Sequence, residues 1–389
     1  MVAVLLGIEL LDELVFGVRE AAWPLIRQDL HLAYFAIGVL LALPNIAAVV
    51  IEPLLGLLAD AGYRRLLIVG GGVVFSLALA MIGFAWSFAV LLLAFVALYP
   101  ACGAFVSLSQ ATLMDVDTSR REANMARWVL AGSFGVVLGP LLLTLALVGG
   151  YGWRPIFVCL AVLSLALVGA AGALPEGGKD SQSLAGGFGA ALAALRSGKV
   201  QQLLVMLEAG DLMGDLLTGY LALYFVDVAG TSPIEAGLAV FSLTIAGLAG
   251  DALLLPLLRH VSGMSYLRAS SLAAVIAYPV FLLAQGLGAK LIPLALLGVL
   301  RAGWYAVPQA RLYQLIPEAS GSILVLSNAG ALVSAVIPLG FGFAAERVGF
   351  GPAMWFLMLG PLIMLFVSRM ATDEAAPAGP PQPAGSSRS

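Results

Sequence analysis

Ile8-Glu9-Leu10-Leu11-Asp12-Glu13-Leu14-Val15-Phe16-Gly17-Val18-Arg19-Glu20 puts five charged side chains into an otherwise apolar run. Counting from Glu9, the residues at spacings of three, four, seven and eleven are Asp12, Glu13, Phe16 and Glu20, which places all of them on one helical face. Arg19 lies beside that face, within reach of Glu20. A carboxylate inside a membrane helix is costly, so each one marks a functional site by default. The pattern returns at an offset of 199 residues: Glu9 maps to Glu208, Asp12 to Asp211, Gly38 to Gly237 and Glu52 to Asp251. Gln110-Ala111 maps to Gln309-Ala310, Gly152 to Gly351 and Phe157 to Phe356. Acids kept in register in both halves describe a two-fold cavity lined with carboxylates, as a transporter needs.

The surrounding chain supplies the membrane. Of 389 residues, 61% are hydrophobic and 11% charged, with a mean hydropathy of +1.03. Soluble domains carry about 25% charged residues. Cys102 and Cys159 both fall in apolar stretches and read as inert packing residues, with neither a disulfide framework nor a zinc site implied. Glu9, Asp12 and Glu13 stand where a cleavable signal peptide would need an apolar core.

A spanning helix needs about 20 mostly apolar residues. Spans are expected near 3–26, 34–59, 65–86, 89–114, 124–148, 153–174, 200–227, 233–258, 266–287, 290–313, 322–345 and 350–370. The fold class is therefore an all-α polytopic membrane protein, with twelve transmembrane helices in two pseudo-symmetric six-helix halves. The expected units are residues 1–174, a cytoplasmic linker over 175–199, residues 200–370, and a disordered Pro/Ala/Gly/Ser-rich tail over 371–389. Leu192, Leu195, Arg196 and Lys199 in the linker fit either a short amphipathic surface helix or a flexible connection. With the N-terminus inside, thirteen Lys and Arg fall in inner loops and the tail, and four (Arg27, Arg154, Lys290 and Arg347) fall outside. Both termini are then cytoplasmic. His31 and His260 lie in or beside loops, without metal-ligand neighbours.

Between the second and third spans runs Gly56-Leu57-Leu58-Ala59-Asp60-Ala61-Gly62-Tyr63-Arg64-Arg65. It resembles the loop signature of the major facilitator superfamily, with Ala61 where that family carries a basic residue after the Asp. The resemblance implies a cytoplasmic latch in which Asp60 pairs with basic residues, Arg120, Arg121 and Arg127 being the candidates. A tight turn with positive-inside arginines is the plainer reading. Ala22-Trp23-Pro24-Leu25-Ile26-Arg27-Gln28-Asp29-Leu30 looks like the end of the first span in drug-exporting members. Gly132, Gly135, Gly139 and Pro140 resemble the glycine-rich antiporter motif, though Leu142-Leu143 stands where that motif closes on two glycines. Close helix packing explains the same glycines. The span-four arginine that some exporters use for proton coupling is absent; Tyr99 stands nearest. The resemblance covers the whole chain and implies a monomer.

Within spans, nine acids (Glu9, Asp12, Glu13, Glu20, Glu52, Glu208, Asp211, Asp215 and Asp251) face two arginines, Arg19 and Arg301. So many ionised carboxylates cannot coexist in a low-dielectric region. Protons, inorganic cations or a cationic substrate must meet the charge. Asp12 and Asp211 are the candidates for protonatable cavity groups. Glu9 and Glu208 fit either cavity or inner-gate roles, and Glu52 and Asp251 either cavity or structural roles. Arg301 reads as a counter-ion. Glu13 and Asp215 are substrate-binding candidates, with Gln110, Gln309, Trp304 and Tyr305, the last two forming an aromatic wall beside the acids. Aromatics at helical spacing more often serve packing. The leading function is proton-coupled export of small cationic or amphipathic compounds by alternating access. A proton-linked importer of a small polar solute and a divalent metal transporter stay open. Neither a nucleophile with its base, nor a phosphate loop, nor a metal cluster is apparent. No cofactor and no nucleic-acid partner is expected; the setting is a bacterial inner membrane.

Overall fold

In lipid every backbone N–H and C=O must find its partner inside the protein, so apolar runs of this length become helices. The computed structural model describes residues 1–116, 121–173, 196–315 and 335–370, and these are helical throughout apart from short turns. The linker and tail expected from the sequence fall almost wholly outside the described residues. Eight helices among the described residues are long and apolar enough to cross a bilayer.

α1 (Val2–Leu30) is also long enough, at 29 residues or about 43 Å, but is set apart from those eight by its charges. His31 ends it in the left-handed conformation, and its N–H returns to the Arg27 carbonyl. α2 (Tyr34–Leu58) and α3 (Arg64–Gly83) meet at a wide turn, Ala59–Tyr63, where Gly62 takes φ 101°. A side chain is strained there, so the glycine of the loop signature has a backbone reason. Gly56 has open space around it. Arg65 donates to the Gly172 carbonyl. The side chain of Asp60 and the expected partners Arg120 and Arg121 lie outside what is described; Arg127 donates to Asn124 Oδ1 at 3.4 Å.

α4 (Phe88–Cys102) passes through a wide turn, Gly103–Ser107, into α5 (Leu108–Val116), so the fourth span is bent rather than straight. α6 (Arg121–Val148) and α7 (Trp153–Ala171) follow. The seventh span is built in pieces: α8 (Gly198–Asp211), a wide turn Leu212–Leu216, α9 (Leu217–Leu223) and a second wide turn Tyr224–Val228. α10 (Pro233–Leu257) opens on a capping box between Ser232 and Glu235. α11 (Gly263–Leu283) and α12 (Leu287–Leu300) come next.

The tenth span differs from the expected continuous helix over 290–313. α12 stops at Leu300, residues 301–305 form a turn with Gly303 at φ 75°, and α13 (Ala306–Leu315) restarts. Arg301 stands at the start of the break. Its Nη1 donates to the Met213 and Gly214 carbonyls at 3.3 Å each and to Thr218 Oγ1 at 3.2 Å, groups near the wide turn of the seventh span. α14 covers residues 335–348, and α15 (Phe350–Met354) leads through a tighter turn, Trp355–Met358, to α16 (Leu359–Met370).

Small residues set the closest helix approaches. A Cβ on Gly139 would lie 2.6 Å from the Gly17 and Val18 backbone of α1, and one on Gly135 2.5 Å from the Leu10 carbonyl. The glycines of the antiporter-like motif thus pack α6 against α1. The repeat-related pair, Gly38 and Gly237, joins early and late parts of the chain. A Cβ on Gly38 would lie 2.6 Å from the Pro338 carbonyl of α14, and one on Gly237 of α10 would lie 2.5 Å from Thr144 Oγ1 of α6.

Candidate functional site

The site starts from the charged face of α1. A cavity of about 400 Å³ is lined by Asp12, Glu13, Phe16, Arg19 and Glu20 from α1 and by Leu41, Asn45, Ala48 and Glu52 from α2. Phe75 of α3 joins them, with Tyr99 and Cys102 from α4, and Asp211 and Asp215 from the seventh span. Ala335, Ile337 and Pro338 of α14 complete the wall. α1 and α2 run antiparallel, so Glu52 reaches the level of Asp12 while Leu41 reaches that of Glu20.

Arg19 is held on several sides. Its Nε and Nη2 donate to Glu20 Oε1 at 2.9 and 2.5 Å, Nη1 donates to the Tyr99 hydroxyl, and the guanidinium lies 4.7 Å from the Phe16 ring centre. Trp23 Nε1 donates to Glu20 Oε2 at 3.2 Å. Glu20, only 2% exposed, reaches toward α9: a Cβ on Gly219 would stand 3.0 Å from Oε2. The one arginine of the cavity wall is thus neutralised by its own neighbour. Asp215 is open to the cavity and within electrostatic reach of Arg19 and Arg301.

The geometry divides the residues expected from the sequence. It brings Asp12, Glu13, Glu52, Asp211 and Asp215 together on one wall. Glu9 instead packs against α6, 8% exposed, with Oε1 where a Cβ on Gly132 would come within 2.6 Å. Glu208, Asp251 and Arg301 are outside the wall; Asp251 is exposed and within electrostatic reach of Arg301. Gln110 donates to Met125 Sδ at 3.7 Å, and Gln309 is half-buried away from the wall. The aromatic wall expected at Trp304 and Tyr305 is corrected. Trp304 is 2% exposed and donates to Ser270 Oγ at 2.9 Å, while Tyr305 is exposed on α13's side of the break, because the turn at Gly303 rotates them off the Arg301 face. Phe16, Phe75 and Tyr99 line the cavity in their place. Cys102, read from sequence as inert packing, lies on the wall with Sγ 3.2 and 3.3 Å from the two carboxylate oxygens of Asp12.

The end of the molecule that carries His31 is tied across. Arg27 Nη1 stands 3.2 Å from Asp227 Oδ2, which also accepts from the Tyr34 hydroxyl at 3.0 Å. The Tyr34 backbone N–H donates to Glu346 Oε2 at 3.1 Å, and its ring stacks on Phe350 at 4.6 Å.

The family model of the Major Facilitator Superfamily matches residues 14–338, which include this wall but for Asp12 and Glu13 at its start. The chain belongs to the Major Facilitator Superfamily. Among solved structures it is similar to a bacterial homolog of the human lysosomal transporter Spinster in an inward-facing, occupied conformation. That likeness has a TM-score of 0.76 at 15% identity, over 95% of each chain. The nucleoside transporter NupG gives 0.76 at 14% identity, over 95% of this chain and 98% of the other. At these identities the likeness speaks for the fold. No curated protein is a significant sequence match. As a superfamily member the chain is a multi-pass membrane protein and a secondary transporter working by alternating access.

Proposed function

We propose that this superfamily member exports small cationic or amphipathic compounds in exchange for protons, from a cytoplasmic membrane with both termini inside. In this reading residues 1–174 and 200–370 are the moving halves, joined by 175–199, with the tail at 371–389. The observation that supports it is the charge of the cavity wall. Among the described residues of the wall, six carboxyl groups (Asp12, Glu13, Glu20, Glu52, Asp211 and Asp215) outnumber one arginine, Arg19, which Glu20 pairs. That acidic surplus attracts cations, and Phe16, Phe75 and Tyr99 offer ring faces on which an organic cation can rest. Asp12 and Asp211 are the groups on which proton and substrate compete. Glu9 and Glu208 serve the inner gate, and Arg301 holds the bent seventh span beside Asp215 and Asp251.

A divalent metal is the weaker reading. Among the described residues no three His, Cys, Asp or Glu side chains group closely enough to hold a metal ion. The importer reading uses the same parts in the opposite direction. The test is a growth screen. Cells carrying Asp12→Asn or Asp211→Asn in place of the native chain are expected to gain sensitivity to at least one toxic organic cation. Unchanged resistance across a broad panel in both variants counts against export.

A further inference from the structure

Cys102 is one of two cysteines in the chain, and the two sit differently. Cys159 is exposed on the outside of α7. Cys102 is half-buried on the cavity wall at the last position of α4, and its sulfur stands almost equally far from both oxygens of Asp12, at 3.2 and 3.3 Å. A thiol is a weak donor and a carboxylate a strong acceptor, so the proton on sulfur points at Asp12. A neutral thiol can donate to that carboxylate without adding a second negative charge. A packing cysteine turns its sulfur to apolar neighbours; this one turns it to the charge.

The local fold explains why the thiol arrives there. Pro100 removes a backbone donor within α4, and the helix widens over Gly103–Ser107 immediately after Cys102. Wide turns of this kind occur frequently at functional sites. The next residue is a glycine, and the Glu52 side chain fills the space beside it: a Cβ on Gly103 would lie 2.7 Å from Glu52 Cγ and 2.8 Å from Oε1. Two consecutive residues of the fourth span therefore seat one carboxylate from α1 and one from α2. Asp12 also faces Glu9, Glu13 and Arg19 on its own helix, Tyr99 on α4, and Asp211 and Asp215 across the cavity. None of these has a hydrogen bond to Asp12 among the contacts described, whereas Cys102 has two.

We propose that Cys102 is a positioning residue for Asp12: its thiol donates to the ionised carboxylate and holds it against the cavity wall whenever that group has given up its proton. This rests on the reading of Asp12 as a proton-exchanging group. It adds that the fourth span, which carries no arginine here, acts on that group through a neutral donor.

The test reads the thiol itself and needs no transported compound. Full-length Cys159→Ser protein in lipid nanodiscs has a single S–H group, whose infrared stretching band is followed as pH is raised. The band is expected to move to lower frequency, reversibly, as Asp12 ionises, and Asp12→Asn is expected to abolish the movement. A band that ignores pH, or that moves equally in Asp12→Asn, overturns the proposal. In the carboxyl region, Cys102→Ala is expected to displace the pH dependence of the Asp12 band and Cys102→Ser to restore it. An unmoved Asp12 band in a folded Cys102→Ala protein also overturns it. If Cys102→Ala does not fold, the S–H titration decides alone. A pH-dependent S–H band together with absent proton-coupled export would leave this inference standing while removing the transport reading, and the reverse result would separate them the other way.

Discussion

Single side chains decide how much of the cavity's charge is free. Arg19 and Glu20 are adjacent in sequence and nearly fully buried, so the charge of each is compensated by the other. Removing one partner of such a pair costs about 3–5 kcal/mol, whereas removing both together is far milder. Glu20→Gln is expected to lower the thermal midpoint of the purified protein sharply, and Arg19→Met with Glu20→Gln to recover most of the loss. Equal midpoints in the two proteins would show the pair to be unimportant for stability. The pairing was legible in sequence, because both residues lie on one helix and helical spacing is local. The position of Glu9 was not. It shares the face of Asp12 and Glu13 by spacing, yet α6 leans onto that end of α1 through glycines, and Gly132 leaves room for the Glu9 carboxyl. Which helix covers which part of a face is a matter of tertiary packing, and periodicity is silent on it.

Helices approach as closely as their smallest residues allow. A Cβ on Gly139 would overlap the α1 backbone, which cannot swing aside as a flexible side chain can. Gly139→Val is expected to destabilise by about 1–3 kcal/mol through forced separation of α1 and α6. Gly56 has nothing within 4 Å, so Gly56→Ala is expected to leave the thermal midpoint unchanged or slightly raised, since alanine favours a helix over glycine by about 1 kcal/mol. Thermal unfolding of the two variants in detergent checks both expectations. Most spans were legible from apolar length, since lipid leaves a helix as the one local solution. The bends at Gly103, Leu212 and Gly303 were not. The tenth span reads as apolar and continuous, but Arg301 finds its partners on the seventh span, and the chain turns at Gly303 beside it. Trp304 and Tyr305 leave the cavity as a consequence.

Across the whole molecule, contacts between residues about two to three hundred positions apart fix the arrangement around the cavity. At the His31 end, Asp227 accepts from both Arg27 and Tyr34, and Glu346 accepts from the Tyr34 backbone. Pairs this distant in sequence carry no local signal, and none was foreseen. The partly exposed Arg27–Asp227 pair stabilises this closed end by about 1 kcal/mol or less. Asp227→Asn is expected to shift the population toward separation of that end by up to about fivefold. Distance measurements between spin labels on α1 and α9 report the shift; unaltered distance distributions would show that the aromatic stack of Tyr34 on Phe350 closes this end without the ion pair. The two-half pattern was legible because the repeat preserves what the halves need from each other. Gly38 and Gly237 each sit where an early helix meets a late one.

In the proposed function the carboxylates of the cavity exchange protons for a cationic substrate. Proton movement in inverted membrane vesicles tests it most directly. A pH gradient is established, organic cations and divalent metals are added in turn, and the native chain is compared with the Asp12→Asn, Asp211→Asn double variant. At least one organic cation is expected to collapse the gradient through the native chain and to leave it intact with the variant. A gradient that survives every compound, or that collapses equally with the variant, would contradict it.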